Sequence, residues 1–317
     1  MTHYDGNTYL PFVDLIKLEK IDERTYRSTA QPFSPGGPIG LGRGCNFILP
    51  GLPMLPFVYK VHSIRDGRSY ATRIVNVTQR NGQGICLTCT CSFKIAEMSP
   101  MDVQDDVDIQ EMYGLVLGAK KPQDFEECPG IDAPWYWKRR KATGINDEFP
   151  GLECRKVDMA AFNGSRHPLD RRQLIMYRTL GAMPADPNMH LCAHLYASDR
   201  NSLYMVSNHL NMGDTWTQMA SLAHTVIFHT DMQDLGFSER PGEAGDDERW
   251  FIKEDSTDRV AHGRGTYRSR VFSPSGVHVA TVLQDGMIRL TKGPQATAEE
   301  TQFIRATRDS WPSRQKL

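Results

Sequence analysis

Two segments far apart in the chain resemble each other. Ser69-Tyr70-Ala71-Thr72-Arg73-Ile74 is matched by Thr266-Tyr267-Arg268-Ser269-Arg270-Val271. Each leads through a glycine-containing turn into a final β-patterned run, Ile85–Phe93 in the first half and Val277–Leu283 in the second. The order of elements around the segments matches as well, so the chain reads as two copies of one α+β unit with an acidic stretch between them. The stretch Gly263–Arg289 carries the second copy, turning at Pro274-Ser275-Gly276. Its last run ends in Gln284-Asp285 before Gly286. A buried strand has no local reason to place an amide there, which makes Gln284 the first candidate for a site. Aligning Ile85 with Val277 sets Ser92 against Gln284, so the two halves are not chemically equivalent.

A chain of 317 residues can build two cores of ordinary size. Hydrophobic residues at 39% and charged residues at 24% describe a soluble globular protein. A net charge of −1 argues against nucleic acid or an anionic membrane as the main partner. No run of about 18 apolar residues is present, so no membrane insertion is expected. The opening MTHYDGNTYLPF lacks the basic and apolar regions of a secretory signal. The seven cysteines, at 45, 86, 89, 91, 128, 154 and 192, are odd in number and dispersed. Cys89 and Cys91 share one face of an alternating run with Ile85, Leu87 and Phe93, and no second CxxC or nearby His pair completes a metal site. Buried strand thiols in a reducing compartment are the expectation, with no metal and no cofactor.

In chain order, Tyr9–Leu18 reads as a short amphipathic helix and Thr25–Ser28 as a strand. Prolines and glycines between residues 31 and 51 rule out long regular structure. Strand patterns follow at Phe57–Ile64, Ser69–Gln79 and Ile85–Phe93, the last two joined at Asn81-Gly82 as an antiparallel hairpin. Residues 101–150 read as a linker with one or two helices, and its acidic segment and basic run Lys138–Lys141 as solvated surface. Residues 1–100 and 151–292 are then the two units, and 293–317 a polar tail. Strands are expected at Glu153–Met159, Arg172–Thr179, Ser221–His229, Glu248–Glu254, Tyr267–Phe272 and Val277–Leu283. Asp186-Pro187 opens a helix with an N-cap carboxylate and a proline at its first position. Met189, Leu191, Cys192, Ala193, Leu195 and Tyr196 make that helix apolar on most sides, so a sheet should wrap it until it ends near Ala197-Ser198-Asp199.

Four blocks give the chain a resemblance to the acyl-CoA thioesterase II family, which includes bacterial and peroxisomal acyl-CoA thioesterases. They run from Val61 to Arg73 (VHSIRDGRSYATR), Leu195 to Asp199 (LYASD), Met219 to His229 (MASLAHTVIFH) and Val282 to Arg289 (VLQDGMIR). The resemblance implies a double hotdog, two antiparallel sheets each wrapping a central helix. It implies hydrolysis of acyl-CoA to free acid and CoA without a metal. The family's active site is an Asp closing the second helix, a Ser or Thr on the next strand and a Gln on the last strand. Matched by motif, these are Asp199, Ser221 and Gln284. Asp199 is the ionisable member and would act as general base on a water held by Ser221 and Gln284. Its place at a helix C-terminus should raise its pKa.

Other readings compete. No G-x-S-x-G points to a nucleophilic serine. His224 and His229 alternate onto opposite faces of a β pattern, so structural or surface roles are expected for them; His190 and His194 share a helix face, but Leu191 stands where a zinc protease motif needs Glu, so packing roles are expected. Asp199 could simply terminate a helix and Ser221 could bond to backbone. Two departures from the family stand out. Ala223 replaces the usual Asp of Ser-Leu-Asp-His-Ser. In the first half, Gly42-Arg43-Gly44 runs directly into Cys45–Gly51, so the first hotdog lacks its central helix. The exposed sheet would then be covered by Tyr9–Leu18 or by a second subunit, giving a homo-oligomer, or the first half would fold poorly; the gap could also lie in the gene model. A non-catalytic acyl-CoA-binding scaffold and a hydrolase of a specialised CoA intermediate are the alternative functions. The tail carries a helical pattern at Ala298–Asp309 and ends Gln315-Lys316-Leu317, one residue from the peroxisomal Ser-Lys-Leu address, which favours peroxisome over cytosol.

Overall fold

The structure is a computed structural model that describes residues 10–30, 46–49, 51–52, 55–79, 84–97, 99–105, 107–144, 150–212, 215–238 and 249–290. Cys45, the Gly42-Arg43-Gly44 element, the turn expected at Asn81-Gly82, the helix expected at 298–309 and the C-terminal Gln-Lys-Leu lie outside them.

In the first half the chain forms a short helix, Phe12–Leu15 (α1), and the strands Leu18–Lys20 (β1), Thr25–Ser28 (β2), Asn46–Phe47 (β3), Phe57–Asp66 (β4), Tyr70–Gln79 (β5) and Ile85–Lys94 (β6). Two helices follow, Ile109–Leu117 (α2) and Pro134–Thr143 (α3), the latter carrying the basic run. Next come Glu126–Glu127 (β7, between those helices), Leu152–Lys156 (β8), Ala160–Asn163 (α4) and Gln173–Thr179 (β9). Pro187–Ser198 (α5) and Ser202–His209 (α6) precede Trp216–Phe228 (β10) and Met232–Leu235 (α7). Phe251–Ser256 (β11), Val260–Ala261 (β12), Arg264–Phe272 (β13) and His278–Leu290 (β14) complete the second half.

The strands form two antiparallel sheets, β1-β2-β4-β5-β6 and β10-β14-β13-β11-β9-β8-β7. Among the described residues only β3 joins them, pairing Asn46 with Thr88 on one side and with Ala223 on the other. The repeat is real at the level of hairpins, since β5 pairs with β6 as β13 pairs with β14. Its register differs from the alignment by sequence. Tyr267 faces Gln284 across the ladder, whereas the matching Tyr70 faces Lys94, not Ser92. Tyr70 opens β5, whereas Tyr267 stands three residues into β13, so the two tyrosines lie at different distances from their turns.

Among the described residues the hydrophobic core clusters lie in the second half and the segment before it, while Val77, Cys86 and Leu87 are the buried hydrophobics of the first sheet. The clusters draw on Phe12 and on residues from Val107 onward. The expected Tyr9–Leu18 helix shrinks to α1, which starts after Pro11 and gives way to β1. It serves the second sheet: Phe12 N–H donates to Leu180 O at 2.9 Å, and Phe12 and Leu15 pack against Gly151. Register puts Tyr26, Tyr59, Val61, Val75, Val77, Leu87, Cys89, Cys91 and Phe93 on one face of the first sheet. Much of that face is half-buried, and Phe93 is 48% exposed. Cys86 alone of the three strand thiols is buried; Cys89 and Cys91 are partly exposed, with sulfurs 3.4 Å apart. No cluster of three potential metal-ligating side chains occurs among the described residues, and none of the described helices is long and apolar enough to cross a membrane.

The segment between the units is more than surface. Ile109, Tyr113 and Leu117 of α2 enter a core cluster with Trp250 and Phe272. Helix α5 begins as its sequence dictates, with the Asp186 side chain accepting from Asn188 N–H. Its buried stripe differs from the expected one: His190, Ala193, His194 and Ala197 face inward, while Cys192 is exposed and Leu195 is 44% exposed. That stripe has the three- and four-residue spacing of a single helix face. The two histidines fit there because their ring nitrogens find partners: Tyr177 Oη and Leu235 O for His194, Pro184 O and Phe237 N–H for His190. Burial pushes the His194 pKa down to about 4, as suits a neutral packing residue.

Candidate active site

Three elements converge at the end of α5. Asp199 is the residue that closes this helix, Ser221 lies on β10, and Gln284 lies within β14. The structure brings all three together. Gln284 Nε2 donates to Asp199 Oδ1 at 2.7 Å and to Ser221 Oγ at 2.5 Å. Ser221 Oγ lies 3.4 Å from the same carboxylate oxygen, and Ser202 Oγ, from the first turn of α6, 3.3 Å from it. These bonds all fall on Oδ1; no described donor reaches Oδ2. Burial is the main cause holding the Asp199 pKa above its ordinary value, against the opposing influences of His224, Gln284, Lys253 and Ser202. The direction agrees with the expectation, but desolvation leads rather than the helix terminus.

Local backbone geometry explains how a strand presents these groups. The β10–β14 ladder slips between Ser221, which faces Gly286, and Ala223, which faces Asp285. Leu222 is the extra residue of this bulge. Strict alternation would turn Ser221 and His224 to opposite faces; the bulge turns both inward, opposite Gly286 and Gln284. Strand β14 continues past Gln284 to Leu290, so the amide stands mid-strand and is 4% exposed. Gly286, two residues on, is where α6 meets the sheet: a Cβ there would sit 2.3 Å from Leu203 Cδ2. Only glycine leaves room for that approach.

Sequence reasoning missed the second layer of the site. His224 is buried, and its Nε2 lies 2.7 Å from Ser198 Oγ. That hydroxyl donates its single hydrogen to Leu195 O at 2.7 Å. His224 therefore carries its proton on Nε2 and presents Nδ1 as an acceptor. His224 Nδ1 and Gln284 Oε1 are buried acceptors without a protein donor among the described residues. Burial lowers the His224 pKa despite the nearby Asp199 charge. His229, by contrast, is exposed beyond the end of β10 and pairs with Thr281 Oγ1 at 2.8 Å.

The turn after Asp199 is clamped from outside. Arg200 Nη2 donates to Cys128 O at 2.6 Å, and Asn201, at φ 56°, donates to Pro129 O at 3.0 Å. Asp132 pairs with Lys156 at 2.6 Å and accepts from Trp137 Nε1. A left-handed Asn at a helix start is a local signal, but its clamp comes from distant sequence.

Comparison with known proteins now identifies the chain. A family model for the acyl-CoA thioesterase C-terminal domain matches residues 125–288, and one for the N-terminal domain matches residues 43–94. The chain belongs to the acyl-CoA thioesterase family. Membership places it among the thioester hydrolases, and all three candidate residues fall within the C-terminal match. Acyl-CoA thioesterase 2 of Haemophilus influenzae is 22% identical over 311 residues, spanning 88% of this chain and 97% of the relative. Acyl-coenzyme A thioesterase 8 of Homo sapiens is 25% identical over 259 residues, 78% and 72% of the two chains. The solved acyl-CoA thioesterase II TesB2 from Mycobacterium marinum superimposes with a TM-score of 0.60 at 22% identity, covering 89% of this thioesterase-family chain and 99% of its own. A hot dog fold protein of unknown function from Alicyclobacillus acidocaldarius gives 0.58 at 16% identity, covering 88% and 97%. The fold is thus hot dog.

Proposed function

We propose that this chain hydrolyses acyl-CoA thioesters to free acid and CoA, with Asp199 as general base and Ser221 and Gln284 holding the water. The observation that carries this reading is the asymmetry of the Asp199 carboxylate. Oδ1 is held by Gln284, with Ser221 and Ser202 beside it, while Oδ2 has no described donor. A carboxylate fixed through one oxygen can take a proton through the other. In the reaction, a water oxygen attacks the thioester carbon as Asp199 accepts the water's proton. The tetrahedral intermediate then breaks its C–S bond, and the departing CoA sulfur takes the proton back. Burial supports the role, because it makes the base stronger than an exposed aspartate. Release of free thiol from a panel of acyl-CoAs tests the activity, and Asp199→Ala should abolish it in a folded protein. Unchanged turnover in that variant removes Asp199 as the base.

The fold is read in finer detail as a double hot dog whose first unit lacks its central helix, with residues 151–292 carrying the catalytic unit. The half-exposed apolar face of β2-β4-β5-β6 supports this. That same face favours a second reading, an acyl-CoA-binding scaffold. Binding of acyl-CoA without thiol release separates the two. A homo-oligomer in which a second copy covers the face would show as a doubled mass in light scattering.

A further inference from the structure

The most unusual buried charge lies behind the site, in the interior of β11. Lys253 is 1% exposed. A lone ammonium so placed would be costly, yet this one has an acceptor for each of its three hydrogens. Nζ donates to Ala197 O at 3.1 Å, to Arg200 O at 3.1 Å and to Tyr267 Oη at 3.2 Å. Tyr267 Oη in turn donates to Asp255 Oδ1 at 2.7 Å, and Asp255 Oδ2 stands 3.9 Å from Nζ. Ala197 and Arg200 bracket the turn that presents Asp199. Their carbonyls belong to the C-terminal end of α5, where free carbonyls gather partial negative charge.

We propose that Lys253 is a positioning residue for Asp199: its ammonium fixes the carbonyls on both sides of the base and sets a positive charge behind the carboxylate. The inference rests on the reading of Asp199 as the base. Two consequences follow from the geometry. The turn cannot slide without breaking a bond to a buried cation. The charged form of Asp199 gains an attractive neighbour, moderated by Asp255, so the pair sets how strongly the base holds a proton. The influence of Lys253 on Asp199 is in this lowering direction, against burial. Other groups facing Asp199 are His224 from β10, Gln284 from β14, Ser202 and Tyr204 from α6 and Tyr267 from β13. Lys253 itself is faced by Asp255, Tyr267, Cys154 and His224. Among the two sets only Lys253 and Asp255 are buried ions of opposite charge, so removing either one changes the field at Asp199 with a known sign.

The test is the pH dependence of thiol release from acyl-CoA by the full chain. Lys253→Met keeps length and apolar bulk; it should move the acidic limb of kcat upward by about one unit with KM unchanged. Asp255→Asn leaves the cation uncompensated and should move the limb downward. The double variant should return the limb toward that of the parent. A residue that merely packs cannot give shifts of opposite sign. Folding is checked by thermal melting; if Lys253→Met fails to fold, the downward shift in Asp255→Asn decides alone. An unmoved limb in the folded variants overturns the proposal, provided Asp199→Asn is inactive in the same assay. Turnover by Asp199→Asn would instead overturn the reading of the base.

Discussion

Replacing Gln284 by Met isolates the contribution of one carboxamide. The two side chains have similar length and bulk, so the interior of β14 stays filled. What disappears is a pair of donors, one to Asp199 Oδ1 at 2.7 Å and one to Ser221 Oγ at 2.5 Å. A hydrogen bond to a charged group is worth about 1.5–3 kcal/mol. The loss falls on the charged form of Asp199, so at 1.36 kcal/mol per pKa unit the carboxyl should become about one to two units harder to ionise. With Asp199 as the proposed base, catalysis needs the ionised form, so activity would be lost at a higher pH as the solution is acidified. Turnover on the plateau should also fall about tenfold to a hundredfold, because Ser221 and Asp199 lose their shared anchor. Stability should hardly change, since Met also removes a buried acceptor, Gln284 Oε1, that has no protein donor among the described residues. Thiol release followed across pH, with circular dichroism on the same samples, measures all three effects. A folded variant with an unmoved acidic limb and near-parental turnover would refute the reasoning.

Three further outcomes follow from the same geometry. Asp199→Asn should be inactive yet melt higher than the parent at neutral pH. The folded-state pKa of Asp199 is raised, so the cost of its charge is felt above that pKa and relieved on acidification; the melting difference should shrink as pH falls. Gly286→Ala drives a methyl into Leu203 and should cost about 1–3 kcal/mol in urea unfolding, and Leu203→Ala should recover part of that loss in the double variant; strict additivity would exclude the contact as the cause. Ser198→Ala strips the partner from the buried Nε2–H of His224 and should cost about 1–3 kcal/mol, with a neutral effect showing that the ring had another acceptor.

Much of the second half was legible from local patterns. The Asp186-Pro187 cap starts α5 as expected, and the β-patterned runs at Arg172–Thr179 and Tyr267–Phe272 become β9 and β13. Patterning failed where polar side chains satisfy one another inside. His190 and His194 read as packing residues, which they are, but nothing local said that they, rather than Leu191 and Leu195, take the buried stripe. Lys253, Asp255 and Tyr267 alternate along ordinary strands, and their pairing exists only because β11 and β13 are neighbours. The first half was harder still. Its strands were legible, but α1 turns away from them to pack on the second core, a choice made by contacts with Gly151 and Leu180.

Taken alone, the sequence offered one candidate, an amide with no local reason to sit in a buried strand; the family resemblance added a carboxylate closing a helix and a hydroxyl on the next strand. Tertiary structure decided that they meet. The bulge at Leu222 turns Ser221 inward, Gly286 lets α6 settle on the sheet, and β14 runs on past Gln284 so that the amide reaches both partners. The physical reason is one of range. Capping, alternation and turn chemistry act over a few residues and are written locally, whereas strand register and the field of a buried cation arise only after distant segments are brought side by side.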